Sequence, residues 1–356
     1  MGSFEIKLED YSIDGYFDYS NSSEEPGELA SPCTHWALGP SSVVLVIIYS
    51  TVFAFSMLGN SLVIYVVHSM KSCRTTTDVY LMNLALADLL FSLTLPFWAV
   101  YTHDQWVFGN LMCKLLSGLQ EATFYSGILM LACISVDRYL AIVKATQVIP
   151  MKRHLVGAVS GGVWLSAVLL SLPVVFQREA FRAENAARMV CHENMTAESV
   201  ERWRVGVRVL HHTVGFFIPL AVMLVCYGLT VGTLLRARSG QKHKAMRVIL
   251  SVVLAFLACW LPHNITMLVD TLMRGELLEE TCRFRSQVDL ALQVTQVLAF
   301  LHCAVNPVLY AFIGQKFRNQ LLTSLFKHGL ISQRNLFAYR TGSVQSQSSR
   351  HTSVTL

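Results

Sequence analysis

The segment VILSVVLAFLACWLPHNITMLV, residues 248–269, contains no Asp, Glu, Lys or Arg. At 1.5 Å per residue, about 20 such residues carry a helix across the roughly 30 Å hydrocarbon core of a bilayer. Each charge at the centre of such a helix would cost about 2.5–3.5 kcal/mol. Four more charge-free runs meet the same length requirement: 29–70, 154–177, 209–235 and 290–315. Two further apolar stretches are only sparsely interrupted, 79–103 by Asp88 and 111–136 by Lys114 and Glu121. Seven spans result. The 356-residue chain is 53% hydrophobic and 14% charged, against about 25% charged for an average soluble protein, which excludes an ordinary soluble enzyme.

Working outward from these spans, Lys and Arg concentrate in connections 69–77, 145–153 and 237–243 and in the tail after 313. Basic connections stay cytoplasmic, so the C-terminus is expected inside and, with seven spans, the N-terminus outside. The opposite face is acidic: residues 1–40 carry Glu5, Glu9, Asp10, Asp14, Asp18, Glu24, Glu25 and Glu28 against Lys7. A multi-pass protein of the plasma membrane is the expected address. No short apolar h-region behind a charged n-region marks a cleavable signal peptide, so the first span is expected to direct insertion. The expected fold is an all-α membrane protein, a seven-helix bundle with helices at 42–69, 78–102, 110–143, 155–177, 206–237, 241–273 and 287–312. Phe317, Leu321, Leu322, Leu325 and Phe326 recur at helical spacing beside Lys316, Arg318 and Lys327, which predicts an amphipathic helix along the inner leaflet at about 315–328. The domains are therefore an acidic outer tail (1–40), the bundle (41–313), the membrane-surface helix (314–330) and a Ser/Thr-rich tail (331–356). That tail is too poor in aliphatic bulk to order itself and is read as phosphorylatable. No basic patch resembles a nucleic-acid surface, and no repeat suggests a transporter.

Four cysteines fall on the outer, oxidising side: Cys33, Cys113, Cys191 and Cys282. They allow three connectivities, which spacing does not decide. Cys113 with Cys191 would tie the third span to the loop after the fourth, and Cys33 with Cys282 would pin the tail before the seventh. Asn21 and Asn194 lie in outer sequons, whereas the match at Asn264 sits inside a span and is read as chance.

Ionisable residues within spans are functional candidates. Asp88 is one, and Asp137-Arg138-Tyr139 at the inner end of the third span supplies a pair of opposite charges. Prolines that kink helices stand at Pro96, Pro173, Pro219, Pro262 and Pro307. Together with Gly59-Asn60, Trp164, Tyr227, Cys259-Trp260-Leu261-Pro262 and Asn306-Pro307-Val308-Leu309-Tyr310, these motifs run in order through all seven spans. The chain thereby resembles rhodopsin-type (class A) G-protein-coupled receptors. Asp137-Arg138-Tyr139-Leu140-Ala141-Ile142-Val143, Thr94-Leu95-Pro96 and the Cys33 and Cys282 pair resemble chemokine receptors. Phe124-Tyr125-Ser126-Gly127, 240–247 (GQKHKAMR), Asp270-Thr271-Leu272-Met273-Arg274 and 314–318 (GQKFR) narrow the resemblance to the interleukin-8 type of CXC chemokine receptor.

The resemblance implies a receptor for Glu-Leu-Arg-containing CXC chemokines, small basic proteins suited to an acidic tail that steers association. Asp10, Tyr11, Asp14, Tyr16, Asp18 and Tyr19 form a tyrosine-sulfation-like context in that tail. Arg208, Asp270, Arg274, Arg283, Arg285 and Glu121 are the charged candidates for the ligand's N-terminus. Gln296 stands where many chemokine receptors have Glu. Activation is expected to repack helix 6 about Trp260 and Pro262, releasing Arg138 from Asp137 toward an inhibitory G protein beside Tyr139, Tyr227, Lys242, Lys244, Asn306, Pro307 and Tyr310. Thr77, Asp78, Ala245 and Lys316 are candidates for an intracellular antagonist pocket. Asp88 matches the family's allosteric sodium ligand, with Gly127 and His302 where many relatives have Ser and Asn. Receptor kinases and arrestin are the expected partners of the phosphorylated tail. Ser353-Val354-Thr355-Leu356 is a candidate PDZ ligand, although Val354 stands where the commoner class has Ser or Thr.

Other classes fit less well. An opsin needs a Lys in 290–315, and an amine receptor needs an acid at Gln120. A transporter or channel would need a charged pore ring, and an enzyme an assembled catalytic constellation. The remaining alternative is an atypical, chemokine-scavenging receptor without G-protein signalling, against which the intact Asp137-Arg138-Tyr139 argues.

Overall fold

The computed structural model describes residues 41–70, 75–144, 153–182, 188–193, 198–236, 240–275, 277–279, 281–313, 315–329 and 331–332. Among them, seven helical segments are long and apolar enough to cross a membrane. The chain runs α1 (Ser42–Ser69), α2 (Thr76–Ser92), α3 (Leu95–His103), α4 (Gly109–Val143) and α5 (Arg153–Gln177) into strands β1 (Arg178–Arg182) and β2 (Met189–Glu193). It continues through α6 (Glu198–His212), a π turn (Thr213–Phe217), α7 (Ile218–Arg236), α8 (Gly240–Arg274), α9 (Cys282–Phe300), α10 (His302–Ile313) and α11 (Gln315–Lys327). Exposure is inverted relative to a soluble protein. Leu58, Leu165 and Phe176 point outward, while Ser56, Asn60, Asp88, Asn264 and Asn306 are buried, as expected of helices whose outer faces meet lipid.

Two spans depart from the continuous helices expected. The second span is two helices, not the single 78–102 expected. Its break falls at Leu93 and Thr94, just ahead of Pro96. Thr94 Oγ1 donates to the Phe91 carbonyl at 2.7 Å there, and Gln120 Nε2 on α4 donates to Thr94 Oγ1 at 3.0 Å. The seventh span starts at Cys282 rather than 287 and is interrupted at Leu301. Pro307 has no N–H to give the Cys303 carbonyl four residues earlier. Asn60 Nδ2 (2.8 Å) and Ser56 Oγ (3.2 Å) on α1 donate to that carbonyl instead. Close packing permits this exchange, since a Cβ on Gly59 would stand 2.7 Å from Pro307 Cβ. The Gly59-Asn60 and Asn306-Pro307 motifs are thus two halves of one helix contact.

The fifth span holds a π turn, with the Ile218 N–H reaching the Thr213 carbonyl. Trp164 Nε1 on α5 donates to Asn83 Oδ1 on α2 at 3.1 Å. Thr75 and Asp78 form a capping box that opens α2. Tyr65 Oη and His328 Nε2 lie 2.7 Å apart, joining α1 to the residue following α11.

The all-α expectation omits an antiparallel hairpin in which Ala180 faces Cys191. Its strands are too short and mixed in polarity to announce themselves. The Cys113–Cys191 disulfide fixes the hairpin to α4. Cys282 is also disulfide-bonded, but its expected partner, Cys33, lies outside the described residues. Cys133, Cys226, Cys259 and Cys303 are free thiols.

Candidate functional site

At the hairpin end of the bundle, two of the charged candidates converge on a third, a buried carboxylate. Asp270, 2% exposed, accepts from Arg208 Nη1 at 2.5 Å and from Arg285 Nη1 at 2.9 Å. Arg285 Nε also approaches Asp289 Oδ1 at 3.3 Å. The bridge joins α6, α8 and α9. A carboxylate taken from water is tolerated here because both its oxygens meet guanidinium donors. Arg283 is exposed at the start of α9. Arg274 ends α8, with its side chain outside the described set.

At the same end, a cavity of about 320 Å³ is lined in part by Trp98, Tyr101, Gln120, Glu121, Arg178 and Gln296. Three of its lining residues carry buried polar atoms without a hydrogen-bond partner among the described residues: Trp98 Nε1, Arg178 Nε and Ser117 Oγ. Buried donors left open in this way call for water or a ligand to satisfy them. Glu121 is already engaged, with its Oε2 3.1 Å from His211 Nδ1 on α6. His211 stacks on Phe124, ring centroids 4.8 Å apart at 12°, and Phe124 lies 4.4 Å from Trp260. Glu121 is thereby connected to Trp260 through two aromatic contacts. His211 is absent from the charged candidates because counting Asp, Glu, Lys and Arg passes over histidine. The adjacent His211-His212 in an otherwise apolar run was the available signal.

Deeper in the bundle, Asp88 accepts from Asn306 Nδ2 at 2.8 Å and faces His302 Nε2 at 3.5 Å. Asn264 is fully buried and donates its side-chain amide to the Trp260 carbonyl at 3.0 Å, so it is no glycan acceptor. At the end opposite the hairpin, Arg138 donates from Nη2 (2.6 Å) and Nε (3.1 Å) to Asp137 Oδ2. Thr77 Oγ1 on α2 donates to the same oxygen at 2.8 Å. Buried Tyr227 leaves its hydroxyl without a partner among the described residues.

Thr77 and Asp78, expected to line an intracellular pocket, hold Asp137 and the start of α2 in this conformation. Lys242, Lys244 and Ala245 lie on α8, Tyr310 on α10 and Lys316 on α11, with their side chains outside the described set. Asp10, Tyr11, Asp14, Tyr16, Asp18, Tyr19, Asn21 and Asn194 lie outside the described residues altogether.

Seven apolar spans thus carry a buried charge cluster at the hairpin end and an arginine held by its neighbouring aspartate at the other. Residues 59–310 match the rhodopsin family of seven-transmembrane receptors. C-X-C chemokine receptor type 1 of Oryctolagus cuniculus is 51% identical over 318 residues, covering 89% of each chain. C-X-C chemokine receptor type 2 of Homo sapiens is 50% identical over 341 residues, 95% of this chain and 94% of the relative. The Mus musculus type 2 receptor is 47% identical over 363 residues, spanning all of both chains. The chain belongs to the rhodopsin family of seven-transmembrane receptors, in its C-X-C chemokine receptor branch. It is a multi-pass plasma-membrane receptor, not an enzyme.

Proposed function

We propose that this receptor binds interleukin-8-like, Glu-Leu-Arg-containing CXC chemokines and activates inhibitory heterotrimeric G proteins, raising calcium and directing leukocyte chemotaxis. The observation that carries this reading is the buried Asp270 held by Arg208 and Arg285, which offers both signs of charge at one end of the bundle. A ligand terminus bearing an acid and a base has a counterpart for each there, and the open donors of Trp98, Ser117 and Arg178 suit a further acceptor. The acidic tail 1–40 faces outward and holds the body of the basic chemokine. The bundle 41–313 receives its N-terminus, helix 314–330 lies on the inner leaflet, and the tail 331–356 recruits receptor kinases, arrestin and a PDZ partner from the cytosol.

Ligand contact favours whichever bundle state it binds better, by no more than its differential affinity. The path offered by the side chains runs from Glu121 through His211 and Phe124 to Trp260. Movement of α8 about Pro262 then opens the inner end, and Arg138 leaves Asp137 to face the G protein beside Tyr139, Tyr227 and Tyr310. The Asp137–Arg138–Thr77 network favours this signalling receptor over the scavenging alternative.

The test is a chemokine panel on cells expressing the chain, reading calcium with and without pertussis toxin. A toxin-sensitive response to Glu-Leu-Arg chemokines is expected; binding with no such response would overturn the reading.

A further inference from the structure

The resemblance to class A receptors implies an allosteric sodium ion on Asp88, and the residues around Asp88 do not fit one. A hard cation of this kind takes oxygen ligands. The side chains that reach this carboxylate present nitrogen: Asn306 Nδ2 donates to Oδ2 at 2.8 Å, and His302 Nε2 faces Oδ1 at 3.5 Å. The Asn306 N–H fills one side of the carboxylate, and the His302 ring stands against the other with no oxygen to offer a cation. Gly127 adds no side-chain oxygen where many relatives carry Ser.

His302 is held in this position from every side. Its Nδ1 lies 2.6 Å from the Ala299 carbonyl, which only accepts, so Nδ1 donates. Its ring packs 5.1 Å from Phe91, 5.8 Å from Phe256 and 5.2 Å from Trp260. Turning Nε2 away from Asp88 would break the Ala299 bond and press the imidazole into these rings. The ring is 6% exposed and Asp88 is 2% exposed, so bulk solvent does not supply the missing ligands.

We infer that this receptor has lost sodium-linked modulation at Asp88, and that the imidazole of His302, with the bare Gly127, is what excludes the ion. The structure also shows how to restore the site. A Cβ built on Gly127 would lie 3.6 Å from Leu84 Cδ1 and 3.9 Å from Phe256 Cε2, ordinary contact distances. A serine therefore fits, and Asn in place of His302 puts an amide oxygen within the reach of the pocket.

The experiment measures thermal unfolding of the purified full-length receptor in nanodiscs, in sodium chloride and in choline chloride of equal ionic strength. Ligand-independent nucleotide exchange on an inhibitory G protein is read in the same two salts. The unfolding measurement does not depend on which ligand or G protein the receptor uses, so it stands if the proposed function fails. The wild-type chain is expected to unfold at the same temperature and to exchange at the same rate in both salts. The Gly127→Ser/His302→Asn variant is expected to gain a sodium-specific rise in unfolding temperature and a fall in basal exchange of about fivefold or more, the usual size of an allosteric coupling. Adding Asp88→Asn should abolish both. A sodium-specific rise in the wild-type chain that Asp88→Asn removes would overturn the inference. So would a double variant that folds and stays indifferent to sodium, because the block would then not lie in these two residues.

Discussion

At the hairpin end of the bundle, Asp270 on α8 holds arginines from two other helices; at the opposite end, Asp137 holds the arginine next to it in the chain and a threonine from α2. The Asp270 contact is a clasp between helices, so its geometry depends on how α6, α8 and α9 are spaced. The Asp137 contact is mostly a latch within α4, so a change of partner by Arg138 would not first have to drag another helix. Under the proposed function the difference teaches a division of labour: spacing would be sensed where charges cross helices, and the readout would be poised where they do not.

The largest effect should come from the latch. Arg138→Ala is expected to cut chemokine-stimulated nucleotide exchange by about 100-fold or more, equivalent to about 2.8 kcal/mol, with radiolabelled chemokine affinity held to within about threefold. An equal loss of affinity would show that the two ends do not act separately. Next in size is Asp270→Ala, which leaves Arg208 and Arg285 facing one another. Stripping one member from a buried pair costs about 3–5 kcal/mol. With both arginines 19% exposed, a smaller loss of about 2 kcal/mol is expected, seen as a drop in chemokine potency of about 30-fold. Full potency in that variant would break the clasp reading.

Thr77→Val sharpens the contrast, because it removes a single hydrogen bond from the latch. About 1 kcal/mol should raise ligand-independent exchange about fivefold, and unchanged basal exchange would mean that Thr77 contributes nothing to the latch. The smallest effect belongs to a contact outside both ends. Trp164→Phe removes the bond to Asn83 and should lower the unfolding temperature by about 1–3 °C, leaving potency alone.

Much of this architecture is legible before any coordinates. The spans follow from where charge is missing, because lipid penalises charge far more than it penalises a misplaced apolar residue. Ser42–Ser69 matches the expected first helix at both ends. What escaped is local backbone geometry. The break before Pro96, the interruption at Leu301 and the π turn depend on packing between spans, and so does the fate of the carbonyl that Pro307 frees. Asn60 donates to that carbonyl, and it comes from the other end of the chain. Arg208, Asp270 and Arg285 were legible as outer-end charges. Their convergence on one carboxylate was not, since it requires the rotational phase of three helices. His211 stayed hidden because it was counted with the uncharged residues.

The π turn at Thr213–Phe217 carries a consequence for phase. In a regular helix Arg208 and Tyr227 would point about 100° apart; taking one residue out of the count brings them to about five whole turns. The surplus residue is therefore what lets one side chain reach Asp270 while the other is buried in the bundle. Gly215 makes room for the bulge, since a Cβ there would run into the ring of Tyr125. A chimaera splicing foreign sequence onto either side of this turn must keep that slack, or only one of the two seats is filled at a time.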